Sequence, residues 1–291
     1  MRKYLLLLCV FILVSCNRKS SETGIPVITV SIAPFEYFVK SIGGDDFSVN
    51  VMVPPGANPH VYEPFPRQIA DLRKSVAYVS NGYLGFEMAW LDRFYEMNKK
   101  MIKLSLGDGI DLIESEHAHE HENDHAEGAD PHYWVSPKYA LDMALSIEEL
   151  LCKIKPEGKE KYENNLADLK EKILMMDKKA DSLFSEYKGE SFMIYHPNLA
   201  YLARDYGLNE LPVEFEGKEP PPSRLKELID LAREKKIATI FVQKEYDTRN
   251  ARAIAGDIRA EIIVIDPLSG DWEESTGFII DALHKSFAEN R

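Results

Sequence analysis

Between Glu114 and Asp130 the chain reads ESEHAHEHENDHAEGAD, and this run leads directly into Pro131-His132-Tyr133-Trp134. Four imidazoles (His117, His119, His121 and His125) alternate there with seven carboxylates, and the tract holds no Lys, no Arg and nothing apolar larger than alanine. Such a composition cannot bury a core and is expected to be a mobile, solvated loop. A charged loop needs no further role. Neutral imidazole is, however, the commonest protein ligand for borderline transition metals, and surrounding carboxylates concentrate cations, so capture of metal ions is the reading favoured here. How an ion would be held tightly depends on the histidines outside the tract.

There are four of these: His60, His132, His196 and His284. His60 follows an apolar run, Phe47 to Val53, within PPGANPHVYEP; His132 lies in a loop before a helical pattern; His196 directly follows the run Phe192 to Tyr195. Asp266 occupies the same kind of position after Ile262 to Ile265. Ligands of open α/β sheets bind beyond the carboxyl ends of strands, and these residues meet that rule. Any one of them alone would more simply be a capping or packing residue. Together they form a candidate site, for which only a fold that converges four loops could serve. Proline stands beside each of the three imidazoles (Pro59, Pro131 and Pro197) and restricts the backbone there. His284 falls on a terminal helix, where a solvated role suffices.

The elements that must position these residues are short β-branched runs alternating with amphipathic helices. Strands are expected at Val27 to Ile32, Phe47 to Val53, Val76 to Ser80, Met101 to Leu104, Phe192 to Tyr195, Val213 to Phe215, Ala238 to Val242 and Ile262 to Ile265, with helical patterns between them. That alternation predicts α/β architecture: two Rossmann-like lobes of mostly parallel sheet. From Pro156 to Lys188 one apolar stripe (Tyr162, Leu166, Leu169, Ile173, Met176, Ala180, Leu183 and Tyr187) predicts a long rigid helix joining the lobes. A coiled-coil dimer is the rival reading of the stripe, but alanine and tyrosines make a weak seam, so a monomer is expected. The expected divisions are an N-terminal lobe over 25–155 with the His-rich loop 114–130, a linking helix 156–188 and a C-terminal lobe 189–291.

The 291 residues, 45% of them hydrophobic, suffice for about two domains. Residues 1–15 combine Arg2 and Lys3 with an apolar run too short for a permanent span, which reads as an export signal. Leu13-Val14-Ser15-Cys16 is similar to a bacterial lipobox, making Cys16 the expected lipidation site and 16–24 a tether to the membrane. Cys9 would leave with the leader and Cys16 would be lipidated, so Cys152 is left without a disulfide partner. A net charge of −13 makes nucleic acid an improbable partner.

GANPHVYEP, DPHYWVSP, YHPNLAYLARDYGL followed by GKEPPPSRLKELI, and IDPLSGDW together resemble, in order, the motifs of the ZnuA-type metal-binding solute receptors of bacterial ABC transporters. The resemblance covers nearly the whole chain beyond the leader. It implies two α/β lobes bridged by a rigid helix, His60, His132 and His196 as metal ligands, Asp266 as a fourth or near-shell carboxylate, and the His-rich tract as a mobile auxiliary metal loop. It further implies an exported, membrane-anchored receptor outside the cytoplasm that delivers Zn2+ to a membrane permease and is not an enzyme. Asn58 stands where many relatives carry Asp, which weakens a supporting role there. Manganese-type relatives carry Glu at the third position; His196 tilts the choice to zinc, with manganese as the alternative ion and nickel and copper as competitors. A zinc hydrolase with Glu63 or Glu214 as base is the rival class, although an aspartate in the fourth position would close the site against water. An adhesive surface lipoprotein would account for anchor and charge but not for the converging loops.

Overall fold

Parallel strands laid side by side need crossover helices, and the alternation in the sequence supplies them in both halves of the chain. The computed structural model describes residues 24–114, 128–214, 220–246 and 249–289. Cys16 and the tract histidines His117, His119, His121 and His125 lie outside the described residues, as does the expected signal. Strands β1 (Val27–Ile32), β2 (Ser48–Val53), β3 (Ala77–Ser80) and β4 (Ile102–Ser105) form one all-parallel sheet in the order β2-β1-β3-β4. A second sheet, β5 (Ser191–Ile194), β6 (Asn209–Pro212), β7 (Thr239–Gln243) and β8 (Glu261–Ile265), is also parallel, in the order β6-β5-β7-β8. Both sheets therefore wind the same way, each reversing beside its first strand, although the two halves show no repeat in sequence.

Helices α1 (Ala33–Gly43), α2 (Pro66–Leu72), α3 (Gly85–Met97) and α4 (Pro137–Ile154) accompany the first sheet; α6 (Ala200–Tyr206), α7 (Pro222–Glu234), α8 (Arg249–Ile258) and α9 (Trp272–Glu289) accompany the second. Between them runs α5 (Lys159–Phe184), 26 residues or about 39 Å at the usual rise. It is shorter than the expected 156–188. Pro156 to Gly158 form a separate 3₁₀ turn, and at the other end the chain leaves the helix after Phe184 for a turn closed by Tyr187 N–H to the Phe184 carbonyl at 2.9 Å. The stripe is otherwise as expected, with Tyr162, Leu169, Ile173, Met176 and Ala180 buried; Phe184, four residues beyond Ala180, takes the buried place expected of Leu183. Tyr187 is buried outside the helix, stacked on Phe287.

The shorter strand expected at Val213 to Phe215 lies ahead of that span, at Asn209–Pro212, and Phe215 falls outside the described residues. Gly207 ends α6 in the left-handed region, so the chain turns at once into β6. Pro212 sits on this edge strand, where its missing N–H is tolerated. Backbone pairing continues past it, Val213 N–H to Ile194 O and Glu214 N–H to Tyr195 O, both at 2.8 Å.

One core joins both halves. A single buried cluster runs from Ile28, Val30 and Phe38 through Tyr162 and Ile173 of α5 to Phe192, Ile194, Ile265 and Trp272. A second cluster, with Met193, Val213, Leu228, Ile240 and Ile254, fills the other face of the second sheet under α7 and α8. The first half of α5 is fastened to the first lobe by Asn165 Nδ2–H to Ile42 O (2.8 Å) and Tyr162 O–H to Asp46 (2.9 Å). Its second half is fastened to α9 by Lys172–Glu273 (2.9 Å) and Lys179–Asp281 (2.6 Å).

Candidate metal centre

Three of the four expected ligands meet. One nitrogen from each of His60, His132 and His196 lies within 4.8 Å of the other two, the only such His, Cys or carboxylate group among the described residues. Ring centroids are 5.0 Å apart for His60–His196 and 5.3 Å for the other two pairs. His60 Nε2 and His196 Nε2 are 3.1 Å apart. For zinc at about 2.0–2.1 Å from each nitrogen, a tetrahedral edge is about 3.4 Å, so the His60–His196 separation is close to that edge and the three nitrogens are near enough to share one ion.

Each histidine is positioned by its own loop. In Asn58-Pro59-His60 and Asp130-Pro131-His132 the side-chain oxygen two residues earlier accepts the backbone N–H of the histidine, at 2.8 Å in both cases. The short Asx side chain can reach its own backbone two residues on, and the intervening proline fixes φ. Asn58 thus keeps a supporting role, holding the His60 peptide, and its Nδ2 also reaches Tyr246 Oη at 3.4 Å. Gly85, at the start of α3, lies against the His60 carbonyl, where an added Cβ would stand 2.5 Å from the oxygen. The His132 loop is fixed from below by Asn81 Nδ2–H to Pro131 O (2.9 Å) and Tyr133 O–H to Asn81 O (2.8 Å). Asn81 in turn gives its N–H to the buried carboxylate of Glu87 at 2.7 Å, and Gly82 does so at 2.6 Å. At the end of β5 the buried amide of Gln243 brackets His196, accepting its N–H and donating to its carbonyl.

The imidazoles are also oriented. His132 Nδ1 is 2.7 Å from Asp130 Oδ1, and His196 Nδ1 bonds Glu214 Oε2. A carboxylate at Nδ1 holds the proton there and leaves the Nε2 lone pair for an ion. Tyr246 stacks on the His196 ring at 4.8 Å and 16°. Burial holds the His60 imidazole well below its usual value, with His132 and His196 adding repulsion. Burial also lowers His196, against the opposing pull of Glu214. Both effects keep the rings neutral, the form that ligates.

Asp266 is placed differently from its three partners. Its carboxylate faces Lys244 Nζ at 3.1 Å and stands outside the three-nitrogen group. The loop that carries it is held close, with Trp134 Nε1–H donating to Pro267 O at 2.9 Å and Trp272 Nε1–H to Trp134 O at 2.7 Å. A cavity of about 10 Å³ at the cluster is lined by the three histidines with Pro59, Trp134, Asn198, Glu245, Tyr246 and Leu268. Burial, and then Asp266, push the Glu245 carboxyl up to about 7. Glu245, Asn198 and the clamp at Gln243 escape a reading of the sequence. Their one signal is position, two residues past β7, two past His196 and at the end of β7. Glu63 is exposed and does not line the cavity. The tract 114–130 is closed at its base by a bridge between Glu114 and Ala129, with Asp130 N–H to Ile113 O at 2.8 Å, so it issues two residues from His132.

A family model described as zinc-uptake complex component A, periplasmic, matches residues 28–284. The zinc-binding lipoprotein AdcA of Streptococcus pneumoniae serotype 4 is 30% identical over 280 residues, an alignment that covers 92% of this chain and 55% of AdcA. This chain thus spans about half the length of that relative. The high-affinity zinc uptake system protein ZnuA of Bacillus subtilis is 26% identical, with 96% of this chain and 94% of that one covered. A crystal structure of ZnuA superposes with a TM-score of 0.83 and 34% identity over 92% of this chain and all of the other. With the family model spanning most of its length and the two-lobe fold shared, the chain belongs to the ZnuA family of zinc-uptake components.

Proposed function

We propose that this protein captures a zinc ion between His60, His132 and His196 outside the cytoplasm and delivers it to the membrane permease of an ABC transporter. The convergence of three imidazoles from both lobes, two of them backed by carboxylates, carries this reading. A first shell of nitrogen suits zinc better than manganese, which prefers more oxygen. Asp266 acts from the near shell, its negative charge beside the site shared with Lys244. Cys16 carries a lipid that keeps the receptor at the membrane, the receptor works as a monomer, and the histidines of the tract gather additional zinc weakly. The names of the relatives, a zinc-binding lipoprotein and a zinc uptake protein, support the ion, the anchor and the transport role.

Hydrolysis is the less favoured use of the same site. Glu214 is engaged by His196, and Glu63 does not line the cavity. The test is competition titration with zinc, manganese and nickel against a chromophoric chelator, for the parent and for His60→Ala, His132→Ala and His196→Ala. Zinc should bind most tightly of zinc and manganese at one site per chain. Each substitution should cost more than the roughly 10–100-fold typical of losing a supporting group. Unchanged affinity in any variant would remove that residue from the site, and a saturable zinc-dependent esterase or peptidase rate abolished by Glu245→Gln would favour the hydrolase.

A further inference from the structure

Three imidazoles leave a tetrahedral ion one position short, and the candidate expected to fill it, Asp266, faces Lys244 instead. Asn198 lines the same cavity, is only 3% exposed, and its Oδ1 has no hydrogen-bond partner among the described residues; no other buried side-chain oxygen or nitrogen there is left so. A buried amide oxygen without a donor is unfavourable, and native structures supply one from protein or ordered water. The backbone that carries this side chain is held in place. The Asn198 and Leu199 N–H groups both donate to Glu210 Oε1, at 3.1 and 2.8 Å, two residues beyond His196 at the start of α6. Beside the three converging nitrogens the cavity has room for about one water-sized body.

We propose that Asn198 completes the metal site from outside the coordination shell, its Oδ1 accepting a hydrogen bond from a water molecule that occupies the fourth position of the bound ion. The inference rests on the zinc reading above. A metal-bound water is a strong donor because the cation polarises its O–H bonds, and an amide oxygen, which accepts without adding charge, holds it without becoming a ligand. Only neutral groups and the three imidazoles then meet the ion directly, and the water is a leaving group available when the ion is handed on. Asn198 is a positioning residue for the captured ion.

The experiment uses the mature chain loaded with cobalt(II), whose visible spectrum reports coordination number, together with zinc competition, for the parent and for Asn198→Leu, Asn198→Ala and Asp266→Asn. Leucine removes the acceptor at similar volume, so zinc affinity should fall about 10-fold, the low end for a supporting group. The cobalt band should keep its four-coordinate intensity. Its pH midpoint, where the bound water ionises, should move to lower pH, because the acceptor favours the protonated water over hydroxide. Alanine leaves space for a replacement water and should lose less; it also keeps the test decisive should the leucine variant not fold. Unaltered affinity and midpoint in both Asn198 variants would overturn the proposal. So would a loss of band intensity in Asn198→Leu, which would make the amide a direct ligand, or the same loss in Asp266→Asn, which would give the fourth position to the aspartate. If the parent binds neither ion tightly, the zinc reading itself falls.

Discussion

The carboxylates behind the site set which imidazole nitrogen faces it. Asp130 and Glu214 occupy Nδ1 of His132 and His196, so the nitrogen that can ligate is chosen before an ion arrives. Asp130→Asn and Glu214→Gln should therefore weaken zinc by about 10–100-fold while leaving one site per chain, measured by chelator competition. Loss of the site altogether would mean that these residues ligate directly. Protons compete with zinc for the same nitrogens. Burial lowers His60 and His196, so protonation of these two begins only below the ordinary imidazole value of 6.5. Zinc affinity should accordingly fall less steeply through pH 6.5 than three ordinary imidazoles would make it, in the same titration repeated across pH; a loss of three protons' steepness centred at 6.5 would contradict the burial argument. That His60, His132 and His196 come together was legible in the sequence because strand ends and flanking prolines are local features. The pairing of Asp266 with Lys244 was not, since it depends on β7 lying beside β8, a neighbour relation that no local pattern carries.

At the scale of elements, the site is built where loops are pressed on by helix starts and strand ends. α3 begins on Gly85 against the His60 carbonyl, and Phe86 N–H bonds Pro59 O at 3.1 Å, so the start of that helix sets the height of His60. Gly85→Ala should displace the His60 loop and weaken zinc binding by at least about 10-fold, as for a lost supporting contact. A crystal structure of the variant with His60 unmoved and affinity unchanged would refute this. The alternation of strand and helix was readable because periods of 2 and 3.6 residues differ clearly over such lengths. The early start of β6 was not, because it is set by the left-handed turn at Gly207 and by pairing with β5 rather than by its own composition. The stripe on α5 was readable over five positions and failed at its end, where packing against α9 selects Phe184 and leaves Leu183 half-buried.

For the whole molecule the decisive feature is that one buried cluster crosses both lobes through α5. The three histidines are divided between the lobes, yet the Tyr37–Glu273 hydrogen bond and the Trp134–Trp272 contacts tie one lobe to the other. A wide hinge would have to break this core, whereas ordering of the rim loops would not. Small-angle scattering should show nearly the same radius of gyration with and without zinc, while hydrogen exchange slows at the loops carrying His60, His132 and His196. Marked compaction without new loop protection would indicate hinge closure instead. Zinc shifts such an equilibrium only by its differential affinity for the ordered rim, which a permease could distinguish from a loose one. The central claim, that one zinc is held by three imidazoles drawn from both lobes, is tested most directly by zinc-edge X-ray absorption on a chain lacking residues 115–127 and loaded with one equivalent of zinc. The account predicts full retention of that zinc, with three imidazole nitrogens at about 2.0–2.1 Å and one further light atom. Fewer than three imidazoles, or loss of the tight zinc with the tract, would contradict it.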